Sequence, residues 1–278
     1  MKPIRLLATA CAASILSLGV AMAQPAQPAQ TGTPTYQPES GQAGKDVVWV
    51  PTHQSLVDRM LDMAEVTPND YLIDLGSGDG RTVITAAKRG LRAHGIEYNP
   101  DLVALSQRAA ESEGVKDKAT FVQADIFETD FSDATVLTLF LLPELNLRLR
   151  PTILEMKPGT RVVSNTFMMD DWTPDQSLES GADCQSFCNA HKWIVPAKVA
   201  GTWKLDNAEL KLDQKFQMLT GELIQNGKSL PLTDARMNGV EITFTADGRV
   251  YKGRVNGERM ESASDAGGPS WSATRSST

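Results

Sequence analysis

The segment LIDLGSGDGR, residues 72–81, restricts the fold of this chain more than any other. An apolar run stops at Asp74, and glycine follows at Gly76, Gly78 and Gly80. Glycine adopts tight-turn conformations and lets a ligand approach the backbone without a Cβ in the way. A buried strand that enters such a loop and then opens a helix is typical of a doubly wound α/β sheet, which binds ligands at this position.

Apolar strands and amphipathic helices alternate on both sides of this loop. The pattern predicts strands at 71–75, 92–97, 119–123, 134–141 and 160–167. It predicts helices at 53–66, 82–89, 101–114 and 145–156. This rhythm is typical of a mostly parallel, doubly wound Rossmann-like sheet, so we predict one α/β domain over residues 46–198. Within it, the polar residues 168–192 are expected to form an irregular insertion.

The pattern changes after residue 198 to short alternating runs separated by turns. Asn-Gly and Asp-Gly steps stand between these runs, and such steps are strong hairpin signals. They include Asn226-Gly227, Asp247-Gly248 and Asn256-Gly257. We therefore predict a small antiparallel β module over residues 199–262, followed by a disordered tail over residues 263–278.

The first 23 residues have the composition of a secretory signal peptide. Lys2 and Arg5 precede a long apolar run that ends in Ala-Met-Ala, a cleavage site before Gln24. The alternatives are an uncleaved membrane anchor and lipid attachment at Cys11. We expect cleavage, a periplasmic or secreted protein, and no stable membrane insertion of the mature chain.

Residues 24–45 are rich in Pro, Gln, Gly and Thr, and we predict a disordered linker there. Signal cleavage removes two basic residues and no acidic ones, so the formal charge changes from −7 to −9. An acidic protein repels nucleic-acid phosphates, and we expect no nucleic-acid partner.

Three kinds of ligand compete for the glycine loop. A phosphate-binding P-loop requires a Lys-Ser or Lys-Thr step that this loop lacks. A dinucleotide fingerprint requires a third glycine where Arg81 stands, and the carboxylate of Asp79 would repel a pyrophosphate. S-adenosylmethionine (SAM) carries no phosphate but has a sulfonium and an ammonium group. The carboxylates of Asp74 and Asp79 attract this cationic end, so they favour SAM.

Two further carboxylates suit the rest of this cofactor. Glu97 ends the second predicted strand, where it can accept hydrogen bonds from ribose hydroxyls, although dinucleotide-binding folds use the same device. Asp125 follows the third strand, where it can accept a hydrogen bond from the adenine amino group. Ile126 beside it can pack on the base.

Together these segments resemble the class I, seven-β-strand SAM-dependent methyltransferases. The resemblance is carried by DLGSGDGR, GIEYNP and FVQADIF. With VPTHQSLVDRML and EMKPGTRVVSNTF, it extends to a small protein-lysine methyltransferase family over roughly residues 47–175. Mitochondrial members of that family modify the adenine nucleotide carrier and a rotor component of ATP synthase.

The resemblance implies a seven-stranded sheet, SAM as the cofactor and a role for each motif residue. Asp74, Gly76, Gly78 and Asp79 would line the methionine end, Glu97 would bind the ribose, Asn99 would shape the following turn, and Asp125 would bind the adenine. Its acceptor is expected to be a protein lysine. The alternatives are an exported, non-catalytic binding module on the same fold and a small-molecule or nucleic-acid methyltransferase.

Two residues have competing roles. Glu144, after the fourth strand, can hold or deprotonate an acceptor amine, or it can simply interact with the dipole of its helix. Thr52 can cover the cofactor, or it can cap the helix that follows.

Cys184, Cys188 and His191 lie close together in the sequence, but their spacing matches no common zinc pattern. We predict no metal site. A disulfide, either between these two cysteines or between two chains, is favoured over free thiols.

Overall fold

The first sheet of the computed structural model has seven strands in the order β3-β2-β1-β4-β5-β7-β6. Its strands are β1 (Tyr71–Leu75), β2 (Arg92–Glu97), β3 (Ala119–Gln123), β4 (Val136–Leu139), β5 (Arg161–Asn165), β6 (Gln176–Glu179) and β7 (Asn189–Ile194). The first five strands are parallel, and β7 runs antiparallel to both of its neighbours. This order confirms the predicted seven-stranded, mostly parallel Rossmann-like sheet.

The structure describes residues 36–179, 181, 183–263 and 270–276. They belong to one compact unit, Tyr36–Thr278. The predicted signal peptide, 1–23, and most of the predicted linker lie outside the described residues.

Four helices accompany the sheet: α1 (Gln54–Met63), α2 (Arg81–Lys88), α3 (Pro100–Ser112) and α4 (Pro143–Leu154). Each buries an apolar face; in α1 the buried residues include Leu56, Met60 and Met63. β1 lies between β2 and β4, so the strand order reverses beside it. Ligands of such sheets bind outside the carboxyl ends of the strands at this point.

The prediction of an irregular insertion at 168–192 is wrong for β6 and for most of β7. β6 lies at the edge of the sheet, where most of its side chains face solvent. Its sequence is therefore polar and lacks the apolar run of a central strand. Trp172 and Trp193 are fully buried.

The second sheet is antiparallel and has nine strands. They are β8 (Gly201–Leu205), β9 (Ala208–Lys215), β10 (Met218–Gln225), β11 (Lys228–Pro231), β12 (Thr233–Asn238), β13 (Glu241–Ala246), β14 (Arg249–Asn256), β15 (Arg259–Ser262) and β16 (Ser272–Arg275). β9 pairs with β10 as well as with β8, so the sheet closes into a ring around an apolar core. This sheet is the predicted β module.

The predicted disordered tail contains β16, which pairs with β15 and β8. Trp271 and Ala273 are buried in the module core and supply the apolar contacts that order this strand. The prediction of disorder is therefore wrong for residues 272–275. Residues 264–269 and 277–278 lie outside the described part of the chain.

The β module packs against the α/β domain. The ring of Phe216 stacks on Trp172 with centroids 5.7 Å apart, and Gln217 Nε2 donates to the carbonyl of Thr173 at 2.7 Å. Arg236 forms an ion pair with Asp175 at 3.2 Å. In the described part of the chain, no helix has the length and apolar character needed to cross a membrane.

Candidate cofactor-binding site

The glycine loop is shaped by three left-handed residues. Gly76, Gly78 and Gly80 have φ angles of 79°, 55° and 81°. The amide of Gly76 donates to the carbonyl of Ile96 at 2.9 Å, which ties the loop to β2. A Cβ on Gly78 would lie 2.6 Å from Nε1 of Trp49, so only glycine allows this close approach.

Gly80→Ala is expected to destabilise the protein by about 2–4 kcal/mol. The new Cβ would lie 2.8 Å from the ring of Phe121 and from Cβ of Ser106, in addition to the cost of the left-handed backbone. Gly114→Ala is the matched control, since Gly114 has a φ of +69° and its Cβ would meet nothing within 4 Å. Urea unfolding should show a loss of only about 1 kcal/mol for the control. Equal losses in the two variants would contradict the packing role of Gly80.

Asp74 is the most deeply buried carboxylate of the cavity. The hydroxyl of Thr138 donates to Asp74 Oδ1 at 2.6 Å. Burial, reinforced by the negative charges of Glu97 and Asp79, raises the pKa of Asp74 to about 7, although the Thr138 hydrogen bond opposes the rise. Among the described residues no cation pairs with Asp74, and a buried carboxylate in this state is a ready partner for an ammonium group.

Glu97 ends β2 and holds the loop through both of its oxygens. Oε2 accepts from the amide of Gly78 and Oε1 from the amide of Asn99, each at 2.9 Å. Asn99 in turn caps α3, because its side chain accepts from the amide of Asp101. Each carboxylate oxygen has a second acceptor site, which leaves Glu97 able to bind two hydroxyls.

Asp125 follows β3 and also lines the cavity. Lys45 Nζ donates to Oδ2 at 2.5 Å, and the amide of Phe127 donates to Oδ1 at 2.9 Å. The Lys45 hydrogen bond, followed by that of Phe127, holds the pKa of Asp125 below its ordinary value. Two of its four acceptor positions are used, so an adenine amino group can still be accepted. Ile126 lines the same part of the cavity.

Asp79 lines the cavity, but its charge is already compensated. Arg81 binds it through Nε at 3.0 Å and Nη2 at 2.5 Å, and Arg81 Nη1 donates to the carbonyl of Thr52 at 2.7 Å. The structure therefore shows Asp79 as an anchor for Arg81. The roles of Asp79 and Asp74 towards the ammonium group stay predictions, and Asp74 is the one of the two without a described ion pair.

Thr52 also lines the cavity, and its hydroxyl accepts from Asn165 Nδ2 at 3.1 Å. The alternative that Thr52 caps α1 is wrong, because the cap is His53, whose side chain accepts from the amide of Ser55.

A segment before α1 lines the cavity, and only its last residue, Thr52, was predicted to do so. Residues 42–52 line the cavity. The amide of Gly41 donates to the carbonyl of Trp49 at 2.8 Å, and the amide of Trp49 donates to the carbonyl of Gln42 at 2.9 Å. The prediction of a disordered linker is therefore wrong for residues 36–45. The apolar run VVWVP at 47–51 was the available signal.

Glu144 lies exposed in the first turn of α4. Its neighbours Leu141 and Leu145 line the cavity, whereas Glu144 is not among the described residues that do. Its catalytic role stays a prediction.

The predicted disulfide is present between Cys184 and Cys188. Both sulfurs are thereby unable to act as metal ligands. His191 instead lies 2.8 Å from the hydroxyl of Ser177, measured from Nδ1.

Three carboxylates thus lie side by side along the ends of three adjacent strands: Asp125 after β3, Glu97 on β2 and Asp74 on β1. This arrangement fits SAM, with its adenine at Asp125, its ribose at Glu97 and its ammonium at Asp74. When bound, SAM supplies an electrophilic methyl group on a positively charged sulfur.

Comparisons with known proteins also identify methyltransferases as similar to this chain. A family described as the ANTKMT methyltransferase domain matches residues 74–176. A protein-lysine N-methyltransferase of Saccharolobus islandicus is 43% identical over 136 residues, which are 48% of this chain and 84% of that protein. The adenine nucleotide translocase lysine N-methyltransferase of Mus musculus is 33% identical over 129 residues, 46% of this chain and 56% of that protein. The match therefore spans little more than half of the mouse enzyme.

Among solved structures, an RNA methyltransferase from Salinibacter ruber was crystallised with S-adenosyl-L-homocysteine. It is 45% identical to this chain with a TM-score of 0.51, and the match covers 54% of this chain and 96% of that one. These matches confirm the expected cofactor and enzyme class. The chain therefore belongs to the ANTKMT methyltransferase family of SAM-dependent methyltransferases.

Proposed function

We propose that this protein transfers the methyl group of SAM to the side-chain amine of a lysine in another protein. The proposal rests on the charged side chains that line the cavity. Among the described lining residues, the cations are Lys45 and Arg81, and each is paired with an aspartate. A cationic acceptor meets no free positive charge there, whereas a phosphate would find no partner.

The end of the cavity beyond β1 favours an amine. Phe140, Leu141 and Leu145 line it, and they follow β4, the strand beside Asp74. Apolar surroundings lower the pKa of an ammonium group and so favour the neutral amine. SAM held by Asp74, Glu97 and Asp125 would supply its methyl group to the lone pair of this amine and would leave as the neutral thioether S-adenosylhomocysteine. Solvent or a carboxylate would take one proton from the methylated nitrogen, and in-line positioning would supply most of the acceleration.

The relatives' names support a protein acceptor in two cases and an RNA acceptor in one. The net charge of −7 favours the protein, because it repels the RNA backbone.

Incubation of the protein with tritiated SAM and a bacterial cell extract should label protein, with the label recovered as methyl-lysine after acid hydrolysis. Asp74→Asn serves as the control, and its label should fall to background. Label recovered in RNA or in small molecules would overturn the lysine proposal. SAM binding by calorimetry without transfer to any fraction would favour the non-catalytic binding module.

We also propose that the protein is exported. The signal-like residues 1–23 and the Cys184–Cys188 disulfide support this proposal, because disulfides persist mainly in oxidising compartments. Expression of the full chain in a bacterium should give a periplasmic or secreted product that begins at Gln24. Recovery of a product in the cytosol that retains its first 23 residues would contradict export.

A further inference from the structure

Three phenylalanines form an aromatic cluster at the end of the cavity beyond Asp74. Phe140 lines the cavity after β4, Phe167 follows β5, and Phe187 lies between β6 and β7. The ring centroid of Phe140 lies 6.2 Å from that of Phe167 and 5.4 Å from that of Phe187, and the last two are 6.1 Å apart. Because Phe140 itself lines the cavity, the cluster continues the cavity wall outward.

The disulfide holds the loop that carries Phe187. Cys184 and Cys188 close a short ring around this residue. Phe187 has a φ of 55° and remains 41% exposed. A left-handed backbone is unfavourable for a bulky residue and persists only where the surroundings impose it. Phe187 keeps this backbone, packs one part of its ring on Phe140 and Phe167, and leaves the rest in contact with solvent.

The chemistry of the cluster suits a lysine side chain. An aromatic face attracts an ammonium group within about 6 Å of its centroid, and its apolar surface packs against the aliphatic stem. Leu142 and Met168 are adjacent in sequence to the cavity and the cluster, and they are 41% and 39% exposed. An acceptor segment with apolar residues beside its lysine would contact both of them.

We propose that Phe140, Phe167 and Phe187 form the wall along which the acceptor lysine reaches the methyl group. In this arrangement the Cys184–Cys188 disulfide positions Phe187, and Phe187 determines specificity for the acceptor. The inference rests on the proposed lysine methylation and names a binding surface for it. Reduction of the disulfide releases the loop and weakens acceptor binding without a change in the cofactor site.

The probe is a synthetic nine-residue peptide with one central lysine flanked by leucine and alanine. Initial rates with tritiated SAM give KM and kcat for the peptide, and calorimetry gives Kd for SAM and for the peptide. Phe187→Ala is expected to raise KM about tenfold, which corresponds to the loss of one desolvated cation–π contact, with Kd for SAM unchanged. Phe187→Tyr should retain the KM of the unmodified protein. Met218→Ala, which removes another exposed side chain on β10, is the control.

Dithiothreitol should raise KM in the unmodified protein and leave the already elevated KM of Cys184→Ser unchanged. If Phe187→Ala methylates the peptide with an unchanged KM, the proposed role of the three phenylalanines is contradicted. The same holds if Met218→Ala raises KM as much as Phe187→Ala does. Either result leaves the proposal of lysine methylation intact. If the peptide binds in a Phe187-dependent way but never takes label, the wall is supported and lysine methylation is contradicted. A peptide that neither binds nor takes label contradicts both.

Discussion

Replacement of Asp74 by Asn is expected to weaken SAM binding by about 100-fold or more and, at the same time, to stabilise the ligand-free protein at pH 8. The amide keeps the shape of the carboxyl group and can still accept the hydrogen bond from Thr138. It removes the negative charge that the cofactor ammonium requires. Removal of one partner of a buried charge pair typically costs about 3–5 kcal/mol, so the Kd for SAM should rise by about 100-fold or more.

The gain in stability follows from the raised pKa of Asp74, about 7 in the folded protein against an ordinary 3.8. Between these two pH values the folded state binds more protons than the unfolded state, so stability falls as pH rises through this window. Above pH 7 the full cost of the buried charge is present, up to about 4 kcal/mol. Asp74→Asn should therefore unfold at a higher urea concentration at pH 8 and at the same concentration as the unmodified protein at pH 4.

Asp70→Asn is the matched control for this experiment. Asp70 is also buried just before β1, but it accepts hydrogen bonds from Thr135 Oγ1 and the amide of Thr67, both at 2.7 Å, and it pairs with Arg161. Burial alone would raise its pKa, but these partners together lower it. Its charge stabilises the fold above its unfolded pKa, and this contribution is lost as pH falls. Asp70→Asn should destabilise the protein at pH 8 and leave SAM affinity unchanged.

The affinity of the unmodified protein for SAM should increase between about pH 6 and 8, one pH unit on either side of the Asp74 pKa of about 7. Asp74 loses most of its proton over this range, and the carboxylate is the form that binds an ammonium group. Calorimetry across the range checks this dependence, which should be absent in Asp74→Asn. A flat profile in the unmodified protein would show that another group binds the ammonium.

The positions of three carboxylates in the cavity could be predicted because the strands of a parallel sheet determine them. Asp74, Glu97 and Asp125 each stand at or just after the carboxyl end of a strand that the apolar pattern identifies. Once the strands are known, the reversal of strand order brings these ends together. The pairing of Asp79 with Arg81 was not predicted, although they are only two residues apart. A spacing of two residues allows Asp79 to pair with Arg81, but it equally allows the Asp79 carboxylate to face the ligand.

Contacts between distant residues left no pattern in the sequence. Lys45 reaches Asp125 across 80 residues, and Phe187 meets Phe140 only because β7 pairs with β5. Trp49 contacts Gly78 only in the folded chain, and no local pattern in the sequence indicates this contact. The apolar run around Trp49 and the single Trp271 of the tail each stand in polar surroundings. They were the sequence signals of order in segments whose composition predicts disorder.

Replacement of Glu97 by Ala should have an effect on SAM affinity comparable with that of Asp74→Asn, by a different route. The carboxylate can accept two ribose hydroxyls while it holds the amides of Gly78 and Asn99. Hydrogen bonds to a charged group contribute about 1.5–3 kcal/mol each, so the loss of both ribose contacts should raise the Kd for SAM by about 100-fold or more.

The two losses can be separated by a second ligand and a second variant. Adenosine carries the ribose but no ammonium, so its binding should weaken in Glu97→Ala and remain unchanged in Asp74→Asn. Glu128→Gln changes a carboxylate that does not line the described cavity, and it should leave both ligands unaffected. If adenosine binds Glu97→Ala as tightly as the unmodified protein, Glu97 does not hold the ribose. Glu97 would then serve only to accept the hydrogen bonds of the Gly78 and Asn99 amides. In that case Glu97→Ala should lower the thermal stability of the protein without a change in adenosine affinity.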